Sequence, residues 1–392
     1  VSVIIVGGGM TGVTLAIALS QLTQGKLDID LVEAHRSDDG EHPGFDSRSI
    51  ALAQGTCQKL DQIGVWPLLK DRAEAIKTIH VSDRGHFGQV CLNAADFQLP
   101  AFGHVIELHD AGAKLFRLLN RHDNIRFHCP ARMVAMHRRE DGVEVTLDNG
   151  QILTAPLAVA ADGSHSPLAA AAGMTWQTVD YRQFAVIANV TLSQPQVGMA
   201  FERFTESGPL AVLPAPQNRY SLVWCHNIDC VDEVQRWSNE TFIYRLQKAF
   251  GGRLGAIDTV GRRQSYPLSL RYAHRQISHR LALVGNASQT LHPIAGQGFN
   301  LAMRDVIGLA ETLSDALKQG QDIGCYSVLR RYQKVRESDR QLSIGLTGGL
   351  VGLFSNQSLP LVGVRNAAML TINNSHFLQR LLVRQTLGQF RC

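Results

Sequence analysis

The apolar positions along this chain change period several times, and each change predicts an element. Residues 1–6 are an unbroken apolar run, short enough for a strand buried on both faces. Val13, Ala16, Ile17, Leu19 and Leu22 then recur at helical spacing, and residues 28–32 return as a second strand. Residues 49–64 read as a helix with Gly64 as its C-terminal cap. Further on, residues 143–147, 184–192 and 221–225 read as short strands, and Gly208-Pro209, Pro214, Pro216 and Asn218 supply turns between them. Strands without long intervening helices predict an antiparallel sheet, to which residues 239–250 add one helix. Residues 157–159 and 281–284 are two more apolar strands. The second runs into a helix whose apolar face is Phe299, Ala302, Met303, Val306, Leu309, Ala310, Leu313 and Leu317. From Gly345 the chain is apolar, punctuated by Asn, Gln and Pro.

Glycine-rich turns sit where strands meet helices. Gly7-x-Gly9-x-x-Gly12 follows the first strand and opens the first helix with Met10 and Thr11. In a dinucleotide fingerprint the first glycine permits the tight turn, the second lets a pyrophosphate approach the backbone, and the third allows close helix–strand contact. Glu33 lies 21 residues after Gly12, at the end of the second strand, where a carboxylate can accept from ribose hydroxyls. A second turn, Ala160-Ala161-Asp162-Gly163-Ser164-His165-Ser166, follows the strand at 157–159. The third, GNASQTLHPIAGQGFNLAMRD at 285–305, carries His292-Pro293 and Gly296-Gln297-Gly298 into the long helix. Such turns bring bare N–H groups to a helix N-terminus, where an anion or electron-rich oxygen is favoured.

Composition narrows the picture. The 392 residues are 45% hydrophobic and 18% charged, an ordinary globular balance with room for two or three units. A net charge of +4 without a Lys/Arg block gives no footprint for nucleic acid. The seven cysteines, at 57, 91, 129, 225, 230, 325 and 392, form no CxxC pair, which fits structural thiols in a reducing cytosol and no metal site. No run reaches the roughly 18 apolar residues of a membrane helix, and residues 1–6 are read as a strand rather than a signal segment.

The three motifs, in this order and spacing, resemble the FAD-dependent aromatic hydroxylases, the family that includes para-hydroxybenzoate hydroxylase. The wording of residues 285–305, together with Phe201-Glu-Arg-Phe-Thr205, Gly208-Pro-Leu-Ala211 and Ser221-Leu-Val-Trp-Cys-His226, resembles its ubiquinone-biosynthesis branch over nearly the whole chain. The resemblance implies an α/β chain: a Rossmann-like FAD-binding domain with an inserted, mainly antiparallel β-sheet substrate domain. The FAD domain is expected to be discontinuous, at 1–75, 103–180 and 268–344, with the substrate domain at 76–102 and 181–267 and a C-terminal helical segment at 345–392. It further implies that Gly7, Gly9, Gly12 and Glu33 hold the ADP half of FAD, with Met10 and Thr11 beside them. Asp162 and Gly163 would serve flavin and NAD(P)H regions, and Gly285 and Asn286 the ribityl and pyrophosphate portion. Pro293, Gly296, Gln297, Gly298, Phe299 and Asn300 would line the isoalloxazine ring. Arg48, in the stretch from Gly44 to Leu52, matches a family arginine near the flavin. The chain departs from the family at Asn286, where Asp is usual, and at Gln289, where His is common.

The implied reaction uses NAD(P)H and O2 through a flavin C4a-hydroperoxide to hydroxylate a polyprenylated methoxyphenol. No second glycine fingerprint is present, since residues 251–255 lack the spacing, as expected where the nicotinamide has no domain of its own. Phe201, Phe204, Leu210, Val212 and Leu213 are expected to wall the substrate. No catalytic base is named. His292 is either near the flavin or bonded to its own turn, and His226 and Tyr220 are weaker candidates. Three alternatives stay open: a related hydroxylase of another ring position or aromatic substrate, a halogenase or reductase of related fold, and a non-catalytic FAD scaffold in a biosynthetic complex. The halogenase WxWxIP motif is absent. The expected location is cytoplasmic. Arg365, Arg380, Arg384 and Arg391 beside Leu350, Val351, Leu353, Phe354, Leu359, Leu361 and Val362 leave two readings of the C-terminal segment: a seat at the inner face of a membrane or on a partner, or a packed helical layer.

Overall fold

The opening apolar run forms β1 (Ser2–Val6) in the computed structural model, which describes residues 1–35, 48–355 and 358–387. The glycine turn starts α1 (Met10–Leu22), and the chain returns in β2 (Asp28–Val32). Next come β3 (Ser49–Ala53), α2 (Gln54–Gln62), the hairpin strands β4 (Thr78–Asp83) and β5 (Gln89–Asn93), and β6 (Gly103–Glu107). β7 (Leu157–Ala160) leads into β8 (Trp176–Leu192), β9 (Met199–Thr205), β10 (Gly208–Ala215), β11 (Arg219–Asn227), α3 (Asn239–Phe250) and β12 (Gln264–Ala273). β13 (Leu281–Leu283) is followed by α4 (Gln297–Lys318), α5 (Tyr326–Ser355), α6 (Leu359–Asn374) and α7 (His376–Thr386).

β13, β7, β1, β2 and the edge strand Ile125–His128 lie side by side in parallel. Val6 stands opposite both Val32 and Ala160, and Ala160 opposite Leu283, so four strands end level. Both faces are covered. Ile5 joins the core with α1 and α4, while Ile4 points to the opposite core with Met133, Val145 and Leu153. This double burial explains why these strands read as continuous apolar runs.

The large second sheet takes β8 to β12 from between β7 and β13 and its β4–β5 hairpin from earlier in the chain; it runs β12-β8-β11-β10-β9-β4-β5, antiparallel except for the β9/β4 pair. β8 crosses position 180, so one strand spans the expected boundary between cofactor and substrate units. One face of the sheet, with Val186, Leu210, Val212, Leu222 and Trp224, packs on Phe242 and Leu246 of α3. The other face contributes Ala200, Phe204 and Leu213 to a cluster with Ile294 and with Val351, Phe354, Met369 and Val383 of the last three helices.

One expectation needs correction. Residues 49–53 are a strand rather than the start of a helix, because Ser49 to Ala53 pair antiparallel with Glu107 to Gly103, and only residues 54–62 are helical. Gly64, at φ +71°, lies beyond the helix end, in the left-handed region suited to a stop. α5 runs unbroken from Tyr326 to Ser355, across the expected C-terminal boundary at Gly345. No helix among the described residues is long and apolar enough to cross a membrane.

Candidate cofactor site

Level strand ends bring the motifs together. Glu33 follows β2, Gly7 follows β1, Asp162 stands two residues beyond β7, and Gly285 two beyond β13. They meet along the carboxyl edge of the parallel sheet, the crevice where such sheets bind ligands.

At the first turn two glycines are forced by packing and one faces open space. Gly7 has φ +108°, and a Cβ there would sit 2.4 Å from the Ala161 carbonyl oxygen. A Cβ on Gly12 would sit 1.8 Å from the Gly7 carbonyl oxygen, whereas one on Gly9 would meet nothing within 4 Å. Gly9 is the N-cap of α1, without a side-chain cap or an acidic residue in the first turn. Bare N–H groups therefore stand beneath open ground, which suits a pyrophosphate. Gly8, missed in the sequence because it occupies a variable position of the fingerprint, is equally constrained: its Cβ would lie 2.7 Å from Glu33 Cβ. Gly8 N–H donates to Glu33 Oε2 at 2.6 Å, and His35 N–H to Oε1 at 2.8 Å. Glu33 thus fixes the turn from the end of β2 through both carboxylate oxygens.

Asp162 accepts the Leu168 N–H through Oδ2 at 3.3 Å, and its Oδ1 is buried with no hydrogen-bond partner. Burial pushes this carboxyl up to about 6 from 3.8, with Glu33 adding to the rise. Gly163 follows at φ +86° with no neighbour in the space of its absent Cβ. Asp162 therefore keeps its proton to higher pH in the folded chain than in the unfolded one, so its contribution to stability is lost as pH rises through about 4 to 6. In the flavin-free protein, Asp162→Asn is expected to raise the melting temperature at about pH 7.5, with the gain vanishing near pH 4. A pH-independent difference would exclude burial of this carboxylate as the cause.

The third turn is held from behind. Thr11 packs against Gly285, where a Cβ would come within 2.9 Å of Thr11 Cγ2. Asn286 is exposed at the same turn. The fully buried Asp305 accepts from Gly285 N–H at 3.2 Å, from Gln289 Nε2 at 2.6 Å and from Arg336 Nε at 2.8 Å. Gln289 Oε1 in turn accepts from Arg340 Nε at 2.9 Å and from the Ser288 hydroxyl at 2.5 Å. This gives the Gln289 departure a physical sense, since one amide donates to the carboxylate and accepts from the guanidinium and the hydroxyl. Asp305, Arg336 and Arg340 were not singled out in the sequence, where no local motif pairs them.

Downstream, Pro293 and Ile294 lead to Gly296, which at φ +60° is the N-cap of α4, with no side-chain cap and no acidic residue in the first turn. Gly298 faces open space. Asn300 is committed to the protein: Oδ1 accepts from Ala53 N–H and the Thr56 hydroxyl, both at 2.8 Å, and Nδ2 donates to the Ala51 and Gly296 carbonyls. It braces the loop against β3 and α2. Phe299 packs on the α1–α4 core, and Gln297 at the start of α4 is partly buried. The Arg48 guanidinium lies 5.4 Å from the ring centre of Tyr266, joining the start of β3 to the large sheet. Residues 44–47 of its motif lie outside the described residues.

The side chains considered for acid–base work are occupied or elsewhere. His292 is fully buried; Ile294 N–H donates to its Nδ1, leaving Nε2 to donate to Gln183 Oε1 at 3.1 Å, and burial lowers its pKa to about 4. It locks its own turn as a neutral ring. His226 stands among Phe184, Trp224 and Trp237 on the α3 side of the sheet, with burial also lowering its pKa to about 4. The Tyr220 hydroxyl, on that same side, is used by the Gln196 backbone. The substrate wall is corrected likewise. Phe201, Leu210 and Val212 face α3, and only Phe204 and Leu213 share the cluster of Ile294. Strand alternation puts Leu210 and Val212 on one face and Leu213 on the other.

A profile described as the FAD binding domain matches residues 1–338. The chain belongs to that family. Its cofactor is FAD, and the open cradle at Gly9, the uncapped α1 and α4, and the unpartnered Asp162 Oδ1 fit that group. The chain is similar to the ubiquinone hydroxylase UbiL of Rhodospirillum rubrum, at 37% identity over 99% of this chain and 90% of the relative. It is also similar to the 3-demethoxyubiquinol 3-hydroxylase of Escherichia coli strain K12, at 30% identity over 98% and 97%. Among solved structures, p-nitrophenol 4-monooxygenase PnpA from Pseudomonas putida DLL-E4 superposes with a TM-score of 0.81, at 18% identity over 100% and 98%, a likeness of fold.

Proposed function

We propose that this chain hydroxylates the aromatic ring of a polyprenylated phenol in ubiquinone biosynthesis, with NAD(P)H as reductant and O2 as oxygen donor. The carrying observation is its full-length likeness to two ubiquinone-pathway hydroxylases. The geometry supports it, because the Ile294 loop that starts α4 also packs into an apolar cluster with Phe204 and Leu213 of the inserted sheet. We assign residues 1–75, 103–180 and 268–344 to the cofactor unit and 76–102 with 181–267 to the substrate unit.

When bound, FAD supplies hydride acceptance and oxygen activation. The chain's own residues do the rest. The bare α1 N–H groups beneath Gly9 would take the pyrophosphate, Glu33 the ribose hydroxyls, and Asn286 the ribityl chain. The N-terminus of α4, left open at Gly298, would favour the electron-rich edge of the ring system. Apolar Ile294, Leu213 and Phe204 would exclude water from the reacting ring.

The test is turnover under labelled molecular oxygen with NAD(P)H and a prenylated methoxyphenol, read by mass spectrometry. One labelled oxygen is expected on the product ring. Label drawn from water, or NAD(P)H oxidation without ring oxygenation across the pathway's phenols, would overturn the reading. An FAD-loaded protein that oxidises no NAD(P)H would instead point to a scaffold.

A further inference from the structure

The last three helices divide their apolar residues between two surfaces. Inward, Val351, Phe354, Met369 and Val383 pack into the cluster that contains Ile294. Outward, Phe377 (76% exposed) and Leu381 (58%) stand on α7, and Leu359 (85%) and Val364 (65%) on α6. Phe377, Arg380, Leu381 and Arg384 are spaced i, i+3, i+4 and i+7, so two exposed apolar side chains and two exposed arginines share one face of α7.

The charge of this layer is one-sided. From residue 340 to 392 the sequence has five arginines and no Asp or Glu. Two of the five are internal. Arg340 serves Gln289, and the buried Arg365 donates through Nε to Asp83 Oδ2 at 2.8 Å. Of the two readings left open for this segment, Arg365 fits the packed helical layer. Arg391 lies outside the described residues. The Arg365–Asp83 pair clamps α6 to the β4–β5 hairpin, where Gly88 N–H donates to Asn366 Oδ1 at 2.6 Å and the neighbouring Phe87 is 66% exposed.

We propose that this outer face, α7 and the start of α6 beside the Phe87 turn, seats the protein on an anionic phospholipid surface. An apolar face interleaved with arginines and free of carboxylates is the pattern of an interfacial helix, whose arginines reach headgroups while the apolar side chains enter the acyl boundary. A protein partner would ordinarily be met by charges of both signs, and this layer offers one. Rigid anchoring by Asp83 makes the face a fixed platform. Because its inner side shares an apolar cluster with Ile294, the layer links the outer face to the cofactor loop. The inference rests on the proposed function only for its consequence, that a lipid-tailed phenol is drawn from this surface.

The experiment is co-sedimentation of the FAD-loaded full chain with phosphatidylcholine vesicles, with and without phosphatidylglycerol. Parent protein is expected to bind the anionic vesicles and to be released by salt. R380E/R384E should lower that partition by more than about 30-fold, and F377S/L381S should lower it with vesicles of either charge, while flavin content and melting temperature stay at parental values. Equal binding to neutral and anionic vesicles, or parental binding by both variants, overturns the proposal. So does a change of oligomeric mass in the variants with unchanged lipid binding, which would make the face a contact between copies. Intact vesicle binding without ring oxygenation would refute the proposed function and leave this inference standing.

Discussion

Gly9→Val is expected to give a folded protein that holds no flavin, whereas Gly12→Ala is expected to damage the fold itself. Both glycines belong to one fingerprint, but their surroundings differ. Gly9 has φ −70° and ψ −175°, extended backbone open to any residue, and no atom lies within 4 Å of the place its Cβ would take. A side chain therefore starts into open space there, and valine covers the bare N–H groups at the start of α1, the ground a pyrophosphate needs. FAD affinity should fall at least about 100-fold, near 2.8 kcal/mol, with little change in the stability of the flavin-free chain. At Gly12 the new Cβ would lie 1.8 Å from the Gly7 carbonyl oxygen, backbone that cannot yield without lifting α1 off β1. That is overpacking at the centre of the core, and a loss beyond about 3 kcal/mol is expected. Flavin absorbance per chain and chemical denaturation of both variants separate the effects. A Gly9→Val protein that purifies with parental flavin content would show that the cofactor does not use this turn.

The contrast also shows what the sequence could and could not reveal. The glycine turns, the strands before them and the helices after them were legible because parallel strands buried on both faces leave unbroken apolar runs, and a helix started by a bare turn leaves its periodicity at once. Residues 49–53 were not legible as a strand. Ile50 and Leu52 alternate, but the run flows into α2 without a break, and only pairing with β6 makes it a strand. The substrate wall failed for a related reason. Which of Leu210, Val212 and Leu213 faces the cofactor loop is set by the sheet's register and by α3 covering one side, neither of which is written locally. Gln289 stood out only as a departure, and its partners Asp305 and Arg340 lie 16 and 51 residues away.

Asp305→Ala should be the most destabilising of the polar substitutions, at about 3–5 kcal/mol. Asp305 is wholly buried at the junction of α4, α5 and the Gly285 turn. Burial alone would lower the pKa of the Arg336 guanidinium, yet Asp305 and Asp339 together raise it, so this arginine stays charged in the interior. Arg336 Nη1 donates to Asp339 Oδ2 at 2.5 Å, and Asp339 also pairs with Arg304. Removing Asp305 leaves one carboxylate to balance Arg336 and Arg304 and strips Gln289 and Gly285 N–H of their acceptor. An uncompensated buried cation is costlier than a missing pair, so Asp305→Ala with Arg336→Leu should lose less than the sum of the two single changes. FAD affinity should fall with Asp305→Ala as well, since Gly285 N–H loses its anchor at the turn assigned to the ribityl chain. Urea denaturation of the single and double variants, in the presence and absence of excess FAD, measures both effects. A loss below about 1 kcal/mol for Asp305→Ala, or strict additivity in the cycle, would mean that the charges behind the turn relax independently and that its position is set by backbone packing alone.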